Sequence, residues 1–324
     1  MVEVFSPHPL HPDATAALQA RARFRVASSP SAAAIMAEGL GADVLVVRAP
    51  IPPAYFAAAP GLRAAVRHGA GLDMIPMDAA SAAGVLVANV PGANAVTVAE
   101  HAIFAAIAVL RRFREVDGAL RGQGWEAGRA FADHGRELGG RVLGIVGFGQ
   151  IGGAVARIAG QGFGMRVAAF TRRPDSLPAG VQAMALDDLV AACDVLVLCC
   201  PLTDATRGLI SAARLGAMKP GAILVNVARG PVVDEGALVA ALQSGHLGGA
   251  ALDVFATQPL ARDHPLLALP NVVLTPHMAG ITEDSMARIG AVVVAEVTRV
   301  LDGGLPLNLC NPEVVAAYRA RFPG

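Results

Sequence analysis

Residues 142–156, VLGIVGFGQIGGAVA, place an apolar run, a glycine turn and an alanine-rich stretch in direct succession. Few folds accommodate that order. Val142–Val146 suits a buried strand. Gly147 permits a tight turn, Gly149 lets a diphosphate approach the backbone, and Gly152 lets helix and strand pack closely. Gln150 and Ile151 then open a helix whose unpaired N–H groups and positive dipole end favour an anion. G-x-G-x-x-G is a weak signal in a chain with 36 glycines. Between a strand and a helix it points to a bound dinucleotide, with a flavin as the alternative occupant.

The remaining sequence fits the same architecture. Strands are expected at 141–146, 166–170, 194–200, 222–227, 249–254 and 271–274, the count of a six-stranded doubly wound sheet. In the first half, strands are expected at 2–5, 43–48, 64–67 and 85–88, with helices at 14–23, 31–39 and 79–83. The fold class is therefore α/β. It pairs a Rossmann-type parallel sheet with a smaller parallel-sheet domain, and a cleft is expected between them. Residues 1–98 and 288–324 would form the substrate-binding domain and 99–287 the dinucleotide-binding domain. A long helix at 95–116 could bridge the two. Residues 117–140, rich in glycine around the lone Trp125, read as an extended arm whose aromatic needs a partner, hence an oligomer contact; a plain surface loop is the alternative.

Composition narrows the function classes. The 324 residues are 54% hydrophobic and 16% charged, a balance that suits a packed enzyme and not a disordered chain. The 26 basic and 26 acidic side chains cancel, which argues against a nucleic-acid or anionic-membrane partner. Cys193, Cys199, Cys200 and Cys310 form no metal-ligand spacing, and they suit a reducing, cytoplasmic setting. No metal site is expected. Neither a signal peptide nor a membrane-spanning run is evident.

The second strand of a dinucleotide sheet usually ends in the carboxylate that meets the adenosine ribose. Here Thr171 stands at that place, followed by Arg172 and Arg173. A carboxylate would repel a 2′-phosphate, whereas a hydroxyl and guanidinium groups would hold it. NADP is favoured and NAD is possible, with one arginine then stacking on adenine.

Ligands of an open α/β sheet gather beyond the carboxyl ends of its strands. Three polar signals fall there: Asn226–Gly230, Asp253 with Gln258, and Thr275–Gly280. Moving a hydride to or from a carbonyl needs a cation for the substrate carboxylate, a proton carrier and a group that orients the carrier. Arg229 can grip the acid, His277 can pass the proton at neutral pH, and Gln258 can hold the second imidazole nitrogen. Cys200, Pro201, Thr206, Val227, Ala228, Asp253 and Gly280 complete the expected cofactor contacts. From the first domain, Arg48, His68, Gly69, Ala70 and Gly71 are expected to meet the substrate, the glycines exposing backbone N–H groups. His134 in the arm could reach a neighbouring site, and His101 reads as a packing residue.

With these residues in place, the chain resembles the D-isomer-specific 2-hydroxyacid dehydrogenases along nearly its whole length. The match runs through the Arg67–Asp73 loop, Pro91–His101, the glycine fingerprint, Cys200–Thr206, Asn226–Gly230, Ala251–Phe255 and Thr275–Gly280. The resemblance implies a flavodoxin-like substrate domain, a homodimer built partly through the arm, and roles for Arg229 and His277 as substrate arginine and catalytic histidine. It implies an NAD(P)-dependent oxidoreductase acting on glyoxylate, hydroxypyruvate or a similar 2-oxo acid. The Thr171–Arg173 segment is similar to that of NADPH-dependent reductases of this type.

Gln258 departs from the pattern, since most members carry glutamate there. A carboxylate beside His277 would favour the imidazolium, and a neutral amide removes that effect. Formate dehydrogenases of the same superfamily carry glutamine at this place and a segment similar to Asp263–Pro265, so formate oxidation is one alternative. A dinucleotide-sensing corepressor, a non-enzymatic branch of the family, is another.

Overall fold

The computed structural model describes residues 2–323; Met1 and Gly324, the outermost residues of the expected substrate domain, lie outside the described residues. The chain divides into two compact units, Met1–Asn94 with Ile281–Gly324, and Ala95–Gly280. The described residues form two parallel sheets, one of five strands and one of seven.

In the first unit, β1 (Glu3–Ser6), β2 (Arg23–Val26), β3 (Val44–Val47), β4 (Ala64–Arg67) and β5 (Leu86–Ala88) lie in the order β2-β1-β3-β4-β5. This is the flavodoxin-like order. The central strand β3 is buried along its length, and its alternating side chains feed two cores. Val44 and Val46 pack with Leu18 and Val293, on helices Pro12–Gln19 and Glu283–Leu301. Leu45 and Val47 pack with Ile35 and Phe56, on helices Ala32–Glu38 and Pro53–Ala58. Each such side chain contributes about 1.5–3 kcal/mol on burial. After the long helix the chain returns to β5, where Leu309 bridges Ala88 and the buried Asn311 Oδ1 accepts from Val87 N at 2.8 Å.

In the second unit, β6 (Val142–Val146), β7 (Arg166–Phe170), β8 (Val181–Ala183), β9 (Val195–Leu198), β10 (Ile223–Asn226), β11 (Gly249–Leu252) and β12 (Val272–Leu274) lie in the order β12-β11-β10-β9-β6-β7-β8. The six expected strands are present, and β8 adds a seventh at the edge. Val195 and Val197 face helices Ala95–Leu110 and Gln150–Arg157. Leu196 and Leu198 face helices Leu186–Ala192 and Glu235–Gln243 on the other side. The strand order reverses between β6 and β9, so the ends of those two strands open the crevice where such sheets take ligands.

Three local expectations change. The helix expected to run to Val116 ends at Leu110, because Arg112 adopts φ 52° and a new helix, Phe113–Gln123, starts after it. The buried apolar face stops at the Arg111-Arg112 pair; Arg112 bonds Glu115 through Nε at 2.8 Å and lies over Phe131. The arm is not extended but helical, with Phe113–Gln123 and Trp125–Arg129 turning at Gly124. Its glycines serve close packing: a Cβ on Gly128 would come within 3.1 Å of Leu120 Cβ. Finally, β2 occupies the segment that follows a helix shorter than expected. No helix among the described residues is long and apolar enough to cross a membrane.

Candidate active site

The glycine turn follows β6 as its sequence requires. Gly147 takes φ 91° and donates its N–H to Phe170 O at 2.9 Å, tying β6 to the end of β7. A Cβ there would lie 2.7 Å from Cys200 N and Cα, so the β6 and β9 ends can approach only with glycine. At Gly152 a Cβ would fall 2.4 Å from Gly147 O, whereas at Gly149 it would meet nothing. The turn is therefore sealed against protein on two sides and open at Gly149. Helix Gln150–Arg157 has no side-chain cap at Gly149, which leaves its first N–H groups to an incoming acceptor. These residues fit the diphosphate of a dinucleotide.

Thr171 follows β7, and its Oγ1 accepts from Arg173 N at 3.3 Å. Arg172 and Arg173 are exposed. Beyond β9, Thr206 Oγ1 donates to Pro201 O at 2.7 Å and accepts from Thr203 N at 2.8 Å, closing the turn after Cys200.

After β10 the chain passes through buried Val227 and Ala228 to half-buried Arg229. The buried Asn226 side chain shapes that passage: Oδ1 accepts from Ala228 N at 3.0 Å and Nδ2 donates to Arg229 O at 3.1 Å. Arg229 donates from one guanidinium nitrogen to Ala228 O at 2.7 Å. Gly230 meets the next segment so tightly that a Cβ would fall 1.9 Å from the Phe255 carbonyl carbon. Glu235 braces the same segment, accepting from Ala256 N at 3.0 Å and facing His264 Nε2 at 3.2 Å.

Asp253, at the end of β11, is 3% exposed. Burying a carboxylate is costly unless its oxygens are bonded, and these are. Oδ1 accepts from Thr275 Oγ1 at 2.6 Å and Met278 N at 2.8 Å, while Oδ2 accepts from Ala279 N at 2.9 Å. His277 sits inside this grip at φ 56°, with its N–H on Asp253 O at 2.8 Å. Its Nδ1 meets Gln258 Oε1 at 3.1 Å. Thr275 Oγ1 also meets His101 Nε2 at 3.2 Å. Burial pulls the His101 pKa below its ordinary value, against the opposing effect of Asp253. Sequence reading missed Thr275, Asn226 and His101 as parts of this arrangement, although each lies in or beside a quoted motif. His134 lies in an exposed turn, Ala132–His134.

The first unit holds the other expected substrate residues. Gly69 takes φ 141°, Asn89 Nδ2 donates to Ala70 O at 2.8 Å, and Arg67 Nε donates to Gly71 O at 3.1 Å. Together these bonds fix the loop after β4. His68 is 5% exposed, and its Nε2 has no hydrogen-bond partner among the described residues. Burial, helped by the Arg48 and Arg67 charges, holds its pKa down to about 3. Arg48 donates to Pro9 O and lies near Met286 Sδ. Among the described residues no cluster could hold a metal ion.

Comparisons with known proteins identify the chain's relatives. The family described as D-isomer specific 2-hydroxyacid dehydrogenase, NAD binding domain, matches residues 103–279. A glyoxylate reductase of Korarchaeum cryptofilum is 40% identical over 301 residues, 91% of this chain and 90% of that protein. A D-3-phosphoglycerate dehydrogenase of Mycobacterium leprae is 41% identical over 296 residues, 89% of this chain but 54% of that protein. The chain thus spans about half the length of the first curated relatives it matches. A solved NADPH-dependent glyoxylate/hydroxypyruvate reductase from Sinorhizobium meliloti, in complex with NADP and malonate, superposes with a TM-score of 0.83. It is 30% identical, and the match covers 95% of this chain and 96% of that one.

Proposed function

Since the chain belongs to the D-isomer-specific 2-hydroxyacid dehydrogenase family, we propose that it reduces a small 2-oxo acid to the D-2-hydroxy acid, and catalyses the reverse. Glyoxylate and hydroxypyruvate are the first candidates. The observation that carries this reading is His277 held through Nδ1 by Gln258 at 3.1 Å. Similarity to glyoxylate reductases and to the Sinorhizobium enzyme supports the substrate class. Neither formate oxidation nor a corepressor role is favoured by these relatives.

Gly147, Gly149, Gln150, Ile151 and Gly152 would hold the diphosphate. Thr171, Arg172 and Arg173 would hold the adenosine end, the exposed guanidinium groups favouring NADP over NAD. Cys200, Pro201, Thr206, Val227, Ala228, Asp253 and Gly280 would line the rest, with Arg229 and His277 at the reacting end. When bound, the reduced nicotinamide supplies the hydride. Arg229 grips the carboxylate and polarises the oxo group. With Gln258 Oε1 accepting from Nδ1–H, His277 offers Nε2 as its proton-transfer atom, giving a proton in reduction and taking it in oxidation. The Gly69–Gly71 loop, with Arg48 and His68, is the proposed further source of substrate contacts.

A homodimer through the arm is part of the same reading. Trp125 is 69% exposed, and beside it Phe113, Leu120 and Phe131 line a cavity of about 320 Å³. Four unpaired cysteines support a reducing, cytoplasmic setting. The function is tested by following NADPH oxidation across a panel of 2-oxo acids and determining the configuration of the alcohol. Turnover of glyoxylate or hydroxypyruvate is expected; cofactor binding without turnover of any acid would refute the reading.

A further inference from the structure

We infer that His101 is a positioning residue for His277, acting through a hydrogen-bonded chain from its imidazole to Thr275, from Thr275 to the Asp253 carboxylate, and from there to the backbone that carries His277. The inference rests on the proposed role of His277 as the proton carrier.

The donor assignments follow from elimination. An ionised carboxylate only accepts, so the 2.6 Å contact uses the one hydroxyl proton of Thr275 to reach Asp253 Oδ1. Thr275 Oγ1 must then accept from His101, 3.2 Å away, which places the imidazole proton on Nε2. Burial favours the neutral imidazole, which supplies that single donor. At the far end, Asp253 accepts from the backbone N–H groups of Met278 and Ala279, the two residues directly after His277.

Each link has a reason to matter at His277. A non-glycine residue at φ 56° occupies a sparsely populated conformation and needs neighbours that hold it. The holding bonds include the His277 N–H, shared between Asp253 O and Thr275 O, and the two backbone donors to the Asp253 side chain. Among the described residues the carboxylate accepts from the backbone N–H groups of Met278 and Ala279 and from the side chain of Thr275. Removing that hydroxyl loosens the Oδ1 end of the carboxylate, which keeps only its backbone donors, and removing His101 takes a donor from the hydroxyl oxygen. Helix Ala95–Leu110, which carries His101, packs into the core beneath the sheet, so the anchor is rigid.

The test compares His101→Leu with His101→Gln and Thr275→Val with Thr275→Ser, plus the Leu/Val double variant. In each, kcat and KM for the oxo acid are measured with NADPH, together with amide hydrogen exchange at Met278 and Ala279. The Leu and Val variants are expected to lose about tenfold or more in kcat, through misplacement of the proton carrier, with KM within about twofold. Exchange at Met278 and Ala279 should accelerate. Gln and Ser, which keep a donor and a hydroxyl, should recover most of both, and the double variant should lose no more than the worse single one. Unchanged kcat and exchange in His101→Leu, additive losses, or a Gln variant no better than Leu would overturn the inference. If His101→Leu fails to fold, the Thr275 pair and His101→Gln carry the same comparison. His277→Ala separates the two claims: full turnover there refutes the proton-carrier reading, while exchange at Met278 and Ala279 still decides whether the tether exists.

Discussion

Oε1 of Gln258 lies 3.1 Å from Nδ1 of His277, close enough for the amide to hold the imidazole without adding a charge. Reduction needs the protonated imidazole, so activity should fall as pH rises through its pKa. A carboxylate in place of the amide would stabilise the imidazolium and move that fall upward. Gln258→Glu is therefore expected to shift the alkaline limb of the reduction profile upward in pH. Rate–pH profiles of the two proteins check this, and superimposable profiles would show that Gln258 and His277 are uncoupled.

Arg172 and Arg173 should divide the two cofactors. A charge-assisted bond to a 2′-phosphate is worth about 1.5–3 kcal/mol, a factor of roughly 10–100. Arg172→Ala is expected to lower kcat/KM for NADPH by that factor and to change NADH by less than about threefold. A wild-type protein that prefers NADH tenfold would contradict the NADP assignment.

Trp125 reports on the arm. An exposed indole covered by a second copy is worth about 1.5–3 kcal/mol, counted twice across a two-fold interface. Trp125→Glu should convert a dimer to a monomer in sedimentation, and a wild-type chain that sediments as a monomer at micromolar concentration would refute the dimer.

His68 should make the first unit acid-sensitive. Its folded pKa of about 3 lies below the ordinary 6.5, so on acidification the unfolded chain takes up a proton that the folded one does not. Its contribution is complete above pH 6.5 and is lost progressively as pH falls towards 3. Over the span from 6.5 to 4.5 that loss is on the order of 2–3 kcal/mol. His68→Gln should flatten this part of a denaturation series. An equal slope in both proteins would show that His68 is not buried as neutral imidazole.

What could be read from sequence and what could not follow from how far each signal reaches. The run Val195–Leu198 is buried on both faces, so it is continuously apolar and reads as a strand from four letters. β2 reads Arg23-Phe-Arg-Val26, half exposed at a sheet edge, and β8 is three residues long; neither carries a local pattern strong enough to stand out. The glycines of the arm suggest extended chain because their use, close packing of Gly128 against Leu120 eight residues earlier, depends on the turn at Gly124 between the two helices. The same holds at the site. Arg229, Gln258 and His277 stand at strand ends and are legible from position. His101 looks like one more core residue of an apolar helix, since its partner Thr275 is brought to it only when β12 docks beside β11.

Proton transfer by His277 to an oxo acid gripped by Arg229 is open to a single comparison. NADPH oxidation in the presence of glyoxylate is followed with the wild-type chain and with His277→Ala. Acid-dependent turnover is expected in the first and a loss of at least about a hundredfold in the second, the usual worth of a positioned general acid. Equal rates in the two proteins, or no turnover of glyoxylate, hydroxypyruvate or any other 2-oxo acid by the wild type, would contradict it.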